Sequence, residues 1–467
     1  MTDLIQIEAA DIGQWFDEDT LRDWVEVQRW YGSKSRALSA VEIFEGVKLR
    51  RQPPLFLALV QTRFATGTHD IYQLPLAFRS AQQVVQAPAI AHTAKWTAYD
   101  ALAEPRDALE LVWRLDRSDE IVTEDGRFSF YHADGDSALP PDASARLLNV
   151  EQSNSSVVFD DRLVLKVYRK LEPGINPELE LLRFLTHRGF PNIAPLHGWY
   201  EYEGQALAAT LGVAQQFLPD ARDGWHMALD EIESAPDALL ERLGTLGAVT
   251  ARMHTVLASD SSDPAFSPEE PSQESLYLLT ATVDEDIERI FVRLPDDERV
   301  APIAGRGEEV RERLALRAQI GVGGRQIRTH GDFHLGQTLY APRGWVIIDF
   351  EGEPARTVPE RRQKRSPLRD VAGMLRSFAY VSSAVGILRG QPPPLDFEQR
   401  ARDIFLARYF AAVDPTLLPA GEAAVMSLLS IYELEKAIYE LRYELDNRPD
   451  WVSIPVAGIR RLLEEAV

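Results

Sequence analysis

Apolar and polar positions alternate with a period of two through much of the first half of the chain and with a helical period through most of the second. Segments such as Val41-Glu42-Ile43-Phe44 and Ile71-Tyr72-Gln73-Leu74-Pro75-Leu76 read as strands, preceded by a polar helix over 18–28. Between 145 and 170 the pattern predicts a hairpin: residues 146–150 form one arm, and 157–159 continuing to 163–168 form the others. A helix is predicted over 177–186, with Leu181, Leu182 and Leu185 as its apolar positions. From about residue 219 onward helices dominate, broken near 330–350 by a loop with short strands. Three stretches rich in Pro, Gly, Ser and Asp, at 133–141, 259–271 and 390–394, read as flexible connections.

Composition narrows the class. A chain of 467 residues, 45% hydrophobic and 26% charged, is globular and long enough for two or three domains. No apolar run approaches the ~18 residues of a spanning helix, and no basic-then-apolar leader opens the sequence. With no cysteine there are no disulfides, thiolate metal sites or thiol nucleophiles, which suits the cytoplasm. A net charge of −22 argues against nucleic acid or anionic membrane as partner.

The densest chemistry lies in His330-Gly331-Asp332-Phe333-His334-Leu335-Gly336-Gln337, followed by Ile348-Asp349-Phe350-Glu351. Phosphoryl transfer needs a group to orient and deprotonate a hydroxyl and oxygen ligands to hold Mg²⁺ against phosphate. Asp332 suits the first task; Gln337 and Asp349, the latter closing an apolar strand, suit the second. His330 is expected to hold this loop through backbone hydrogen bonds, although it is also kept among the substrate-side candidates. Asp370, opening a later helix, is expected to be structural, as a cap or as a brace for the loop. The basic run 361–365 could close over phosphates, dock a partner or simply be solvated.

Upstream, Lys166 interrupts the apolar strand 163–168, a costly place for a lysine without a partner. It is expected to meet nucleotide phosphates and a glutamate of the next helix, with Glu180 as the candidate and Glu178 as the alternative. The segment 151–156 occupies the place of a Gly-rich loop but has no glycine. Ser153 and Ser155 can still offer amides and hydroxyls to phosphate. By chain order, 213–219 is where adenine would find backbone contacts, at Gln216 and Leu218. In the helix containing 432–447, Leu434, Ile438, Leu441 and Leu445 share one face and should pack inward. Lys436, Tyr439, Glu440 and Tyr443 lie opposite, a mix of rings and polar groups suited to a sugar.

"RTHGDFHLGQTLYAPRGWVIIDFEGEPA" and "ERRQKRSPLRDVAGMLRSFAY", with "RWYGSKSR" near the start and "YELEKAIYELRYELDNRPDWVSIP" near the end, closely resemble the actinobacterial-type maltokinases, relatives of the aminoglycoside phosphotransferases. Gln337 in place of Asn, and Glu351-Gly352-Glu353-Pro354 after Asp349, are the distinguishing letters. The resemblance implies an α+β, bilobal, protein-kinase-like fold: an N-terminal α+β cap over 1–91, a nucleotide-binding part over 92–218, and a helical C-lobe over 219–467. It implies ATP- and Mg²⁺-dependent phosphorylation of maltose to maltose 1-phosphate, feeding α-glucan synthesis, with a trehalose synthase as a conceivable partner and a monomer or homodimer equally open. Glucosamine kinases share the loop and the cap and are the main alternative; an aminoglycoside-like acceptor and an inactive kinase-like module are others. Trp30-Tyr31-Gly32 and Lys34 are expected to brace the cap against the nucleotide lobe.

Overall fold

Three long, alternating segments and three shorter ones pair into the first sheet of the computed structural model, which describes residues 9–133, 139–148, 153–320, 323–391 and 394–464. The expectations placed on 1–6, 134–138, 149–152 and 392–393 lie outside the described residues. Two compact units emerge, 1–183 with 194–219 and 184–193 with 220–467.

In the first unit, helix α1 (Glu18–Glu26) precedes strands β1 (Leu38–Arg50), β2 (Leu55–Phe64), β3 (His69–Ser80), β4 (Ala89–His92) and β5 (Trp96–Asp100), ordered β1-β2-β3-β5-β4. The Asp17 carboxylate caps α1 by accepting the Thr20 N–H at 2.7 Å. Trp30, Tyr31, Phe56, Tyr72, Phe78 and Trp96 fill the core of this cap. Because β5 pairs with both β3 and β4, the cap's sheet runs to Asp100, and the boundary expected at 91 falls inside β4.

Helix α2 (Leu109–Arg117) leads into the second sheet. It comprises β6 (Glu120–Val122), β7 (Gly126–His132), β8 (Ala145–Leu148), β9 (Asn154–Phe159), β10 (Leu163–Tyr168), β12 (Leu196–Gly204) and β13 (Ala208–Gln216), ordered β6-β7-β12-β13-β10-β9-β8. The two-residue β11 (Lys170–Leu171) leaves this sheet and pairs with β3. Helix α3 (Pro177–His187) follows.

The two sheets are joined by buried polar contacts. Gln73 on β3 is fully buried; its Nε2 donates to Tyr168 O at 2.6 Å and to Leu211 O, and its Oε1 accepts from the Tyr200 hydroxyl at 3.1 Å. Arg169 pairs with Asp100 at 2.5 Å, donates to Ser155 Oγ at 2.8 Å and lies over the Trp30 ring. Trp30 thus takes the bracing position expected of it, while Lys34 stays exposed.

The second unit holds a small sheet, β14 (Arg222–Asp223), β15 (Thr338–Ala341) and β16 (Gly344–Ile347), among helices. These are α4 (Gly224–Ser234), α5 (Pro236–Leu257), α6 (Gln273–Phe291), α7 (Gly307–Arg317), α8 (Val358–Arg361), α9 (Leu368–Arg389), α10 (Phe397–Phe410), α11 (Glu422–Asn447) and α12 (Ser453–Glu464). Leu434, Ile438 and Leu441 of α11 pack into one core with Ile287, Val310 and Ile459, as their helical phase requires, and Leu445 packs at its edge. Helix α9 does reach the length and apolar composition of a spanning segment, contrary to the reading of the sequence, but 72% of its apolar window is buried among its neighbours. The stretch 259–271 is not a loose connection either: Phe266 is buried and stacked on Phe184 at 3.8 Å.

Gln73→Leu leaves the Tyr168 and Leu211 carbonyls without their buried donor and should cost about 2–4 kcal/mol of stability, read by denaturant unfolding. A loss below ~0.5 kcal/mol would show that Gln73 does not hold the two sheets together.

Candidate active site

A carboxylate at 332 can serve chemistry only if its loop is held still, and α9 provides that hold. Asp370, in the first turn of α9, accepts the N–H of His330 at 2.8 Å and of Gly331 at 2.9 Å, and His254 Nε2 from α5 at 3.1 Å. Burial works against this charge, yet the hydrogen bond from His254 keeps the carboxyl below its ordinary range. One turn on, a Cβ at Gly373 would sit 2.6 Å from Phe333 O, so only glycine lets the loop lie this close. A further turn on, Ser377 Oγ accepts the Leu335 N–H at 3.0 Å. Asp370, Gly373 and Ser377 are spaced three and four apart, one stripe of one helix.

His330 is buried at 1% exposure between Phe333 and Phe350, and its Nε2–H donates to Ile348 O at 2.9 Å. It ties the loop to the residue before Asp349 and is out of reach of a substrate, which corrects its place among the substrate candidates. Thr338 pairs with Ile347, and Ile348 N–H donates to Gln337 O at 3.1 Å. Gln337 and Asp349 are therefore brought together at one end of the β15–β16 pair. Asp349 sits at φ 61°, a left-handed conformation costly for a residue with a Cβ.

Asp332 Oδ1 receives Lys436 Nζ of α11 at 3.0 Å, and His334 Nε2 stands 3.8 Å from Oδ2. Burial pushes the Asp332 carboxyl up, but Lys436 and then His334 outweigh it and hold it at about 2. Lys436 in turn is raised against its own burial by Asp332 and Glu353. Beyond Lys436, Glu353 pairs with Arg356 at 2.6 Å and Arg369 at 3.0 Å, and Glu435 stands 3.6 Å from both arginines. These groups, with Tyr432, Tyr439 and Arg442, line a cavity of about 190 Å³ over Asp332. Glu353 belongs to the distinguishing Glu351–Pro354 stretch; Arg356 is three residues on, but Arg369 and Lys436 lie far along the chain.

The other substrate-side candidates divide. Tyr439 lines the cavity, its ring 5.3 Å from Lys436 Nζ. Glu440 does not: it is buried against Arg376 of α9 at 2.8 Å, and burial pushes its carboxyl up despite that arginine. Tyr443 is 44% exposed under Arg448, one turn further out. In the basic run, Lys364 bonds to Pro264 O at 2.7 Å and Glu269 at 2.6 Å, and Arg361 to Glu351 O at 3.2 Å.

In the first unit, period-two alternation puts Lys166 and Tyr168 on one face of β10, and both converge on Glu178. Lys166 Nζ is 3.0 Å and the Tyr168 hydroxyl 2.8 Å from Glu178 Oε2. Glu178, the alternative to Glu180, is thus a partner of Lys166 on the first turn of α3. Ser153 is exposed at the bend before β9. Ser155 lies inside β9 with its hydroxyl bonded to Arg169, so it is a strand residue and not part of a phosphate loop. The Gln216 N–H is taken by Pro195 O at 3.0 Å, and Leu218 is half-buried just past β13.

Comparison with known proteins agrees with this layout. Residues 24–104 match the maltokinase N-terminal cap domain, and residues 144–352 match the phosphotransferase enzyme family. The glucosamine kinase of Streptacidiphilus jiangxiensis is 27% identical over 340 residues, 70% of this chain and 75% of that protein. The glucosamine kinase of Mycolicibacterium smegmatis is 28% identical over 335 residues, 68% and 80% respectively. The fold is that of a solved glucosamine kinase in complex with glucosamine, ADP and inorganic phosphate, with a TM-score of 0.70 at 21% identity over 94% of this chain and 98% of that one.

The low Asp332 value has a checkable source. Its contribution to stability is complete above the free carboxyl range of about 4 and is lost as pH falls through about 2. In Lys436→Met the opposing burial prevails, and Asp332 should titrate above about 4 in a carbon NMR titration of its carboxyl. A value still near 2 in that variant would remove Lys436 as the cause.

Proposed function

Since the chain belongs to the phosphotransferase enzyme family, carries a maltokinase-type cap and is an ATP-dependent sugar kinase, we propose that its acceptor is maltose and its product maltose 1-phosphate. One observation carries the choice of a neutral sugar. Each carboxylate lining the cavity already has a cation beside it: Lys436 at Asp332, Arg356 and Arg369 at Glu353 and Glu435, and Arg289 at Asp286. An amino sugar's ammonium would enter with no carboxylate left to itself, whereas hydroxyls can bond to both members of such pairs. Tyr439 supplies a ring face for the sugar's C–H groups.

In this reading the anomeric hydroxyl bonds to Asp332 Oδ2, because Oδ1 is held by Lys436. A carboxyl at about 2 is a weak base, so Asp332 orients the hydroxyl and takes its proton late, as the new P–O bond forms and ADP departs. Lys166, steadied by Glu178, is assigned to the nucleotide phosphates, Ser153 to a phosphate contact, and the Leu218 backbone to adenine. Gln337 and Asp349 offer only oxygen donors, a set suited to Mg²⁺. Bound there, Mg²⁺ would neutralise charge on the phosphate oxygens.

The named relatives favour glucosamine as the second reading. ATP consumption measured over maltose, glucose, glucosamine, trehalose and aminoglycosides decides between them. Maltose should be turned over fastest; faster turnover of glucosamine would install the alternative. Asp332→Ala should lower kcat by about 10²–10⁴-fold while ATP still binds, and near-normal turnover would exclude Asp332 from the chemistry. Asp349→Asn should raise the Mg²⁺ concentration needed for half-maximal rate, and an unchanged requirement would argue against its role.

A further inference from the structure

The phosphotransfer chemistry makes no use of the residues at the far side of the second sheet. His132 ends β7, His197 opens β12, and Asp116 faces them from the last turn of α2. Ala133 N–H donates to His197 O at 2.8 Å, so the backbone holds the two histidines side by side. Strand β13 separates them from β10 and Lys166.

His197 Nε2 is 2.8 Å and His132 Nδ1 is 3.8 Å from Asp116 Oδ1, and one ligand atom from each residue lies within 4.8 Å of the others. The imidazole rings meet edge-on at 4.9 Å. An ordinary Asp–His hydrogen bond joins Asp116 to His197. It leaves Asp116 Oδ2 buried with no hydrogen-bond partner, a costly state for a carboxylate oxygen. A divalent ion would use that charge. Ligands about 2.1 Å from a tetrahedral centre stand roughly 3.4 Å apart, between the two distances observed. Two imidazoles with one carboxylate favour Zn²⁺ over Mg²⁺ or Ca²⁺, which seek oxygen.

We propose that Asp116, His132 and His197 form a Zn²⁺ site that fastens α2 to β7 and β12. It is independent of the acceptor and of the Mg²⁺ ligands. The site staples one helix to two neighbouring strands of the second sheet.

The test uses the full chain, stripped with a chelator and titrated with Zn²⁺ in excess Mg²⁺. One Zn²⁺ per chain should survive gel filtration, and Tm should rise with Zn²⁺. His132→Asn and His197→Asn should each bind Zn²⁺ about a hundredfold or more weaker and lose the Tm rise, while keeping sugar-kinase turnover. Wild-type protein that retains no Zn²⁺, or variants that retain it equally, would overturn the proposal. If a variant fails to fold, the Co²⁺ spectrum of the wild type decides: visible absorption of tetrahedral intensity supports the site, and its absence overturns it.

Discussion

The buried carboxylate of Asp370 is the constraint on which the loop bearing Asp332 depends. An ionised group at that depth is tolerable only if donors surround it. Two of its three come from the backbone of the loop it supports. Satisfying Asp370 and fixing the loop are therefore one event. The consequences then run along the chain: Gly331 at φ 87° turns the backbone, Asp332 emerges beside Lys436, and Phe333 closes down on Gly373. His330 carries the same constraint across to Ile348, which sets where Asp349 begins.

A second theme is charge balance in an acidic protein. The cavity over Asp332 is lined by both signs, arranged as a ladder from Asp332 through Lys436 and Glu353 to Arg369, Arg356 and Glu435. Held this way, Asp332 is ionised at any physiological pH but is a poor proton acceptor. In the reaction proposed above its value lies in orientation, in keeping with phosphoryl transfers whose transition states ask little of a base. The ladder also shapes the cavity, because each long side chain is pinned at its charged end.

Much of this was legible in the sequence, because the signals were local. The need of a lysine inside an apolar strand for a partner and the inward face of α11 could be read from residues close in the sequence, and the structure shows both. What failed depended on how elements meet. Placing Glu178 beside Lys166 needs the rotation of α3 against β10, and recognising Ser155 as a strand residue needs Arg169. Glu440 and Tyr439 are neighbours in sequence, yet one meets Arg376 and the other the cavity, a split the broad helical face concealed. Glu353 was visible as an unusual letter, but its pairing with Arg369 and Lys436 belongs to tertiary structure. The limit of the cap was missed for a similar reason: β4 and β5 are short, and only the pairing of β5 with β3 and of β4 with β5 assigns them.

The detour of β11 bears on how such a protein could have been assembled. Lys170 and Leu171 come just after β10 of the second sheet, yet they pair with β3 in the sheet that begins at residue 38. The cap is thus not a bead that recombination could add or remove by cutting once. A cut after residue 100 would leave β11 without β3, and Tyr168 and Arg169 without Gln73 and Asp100.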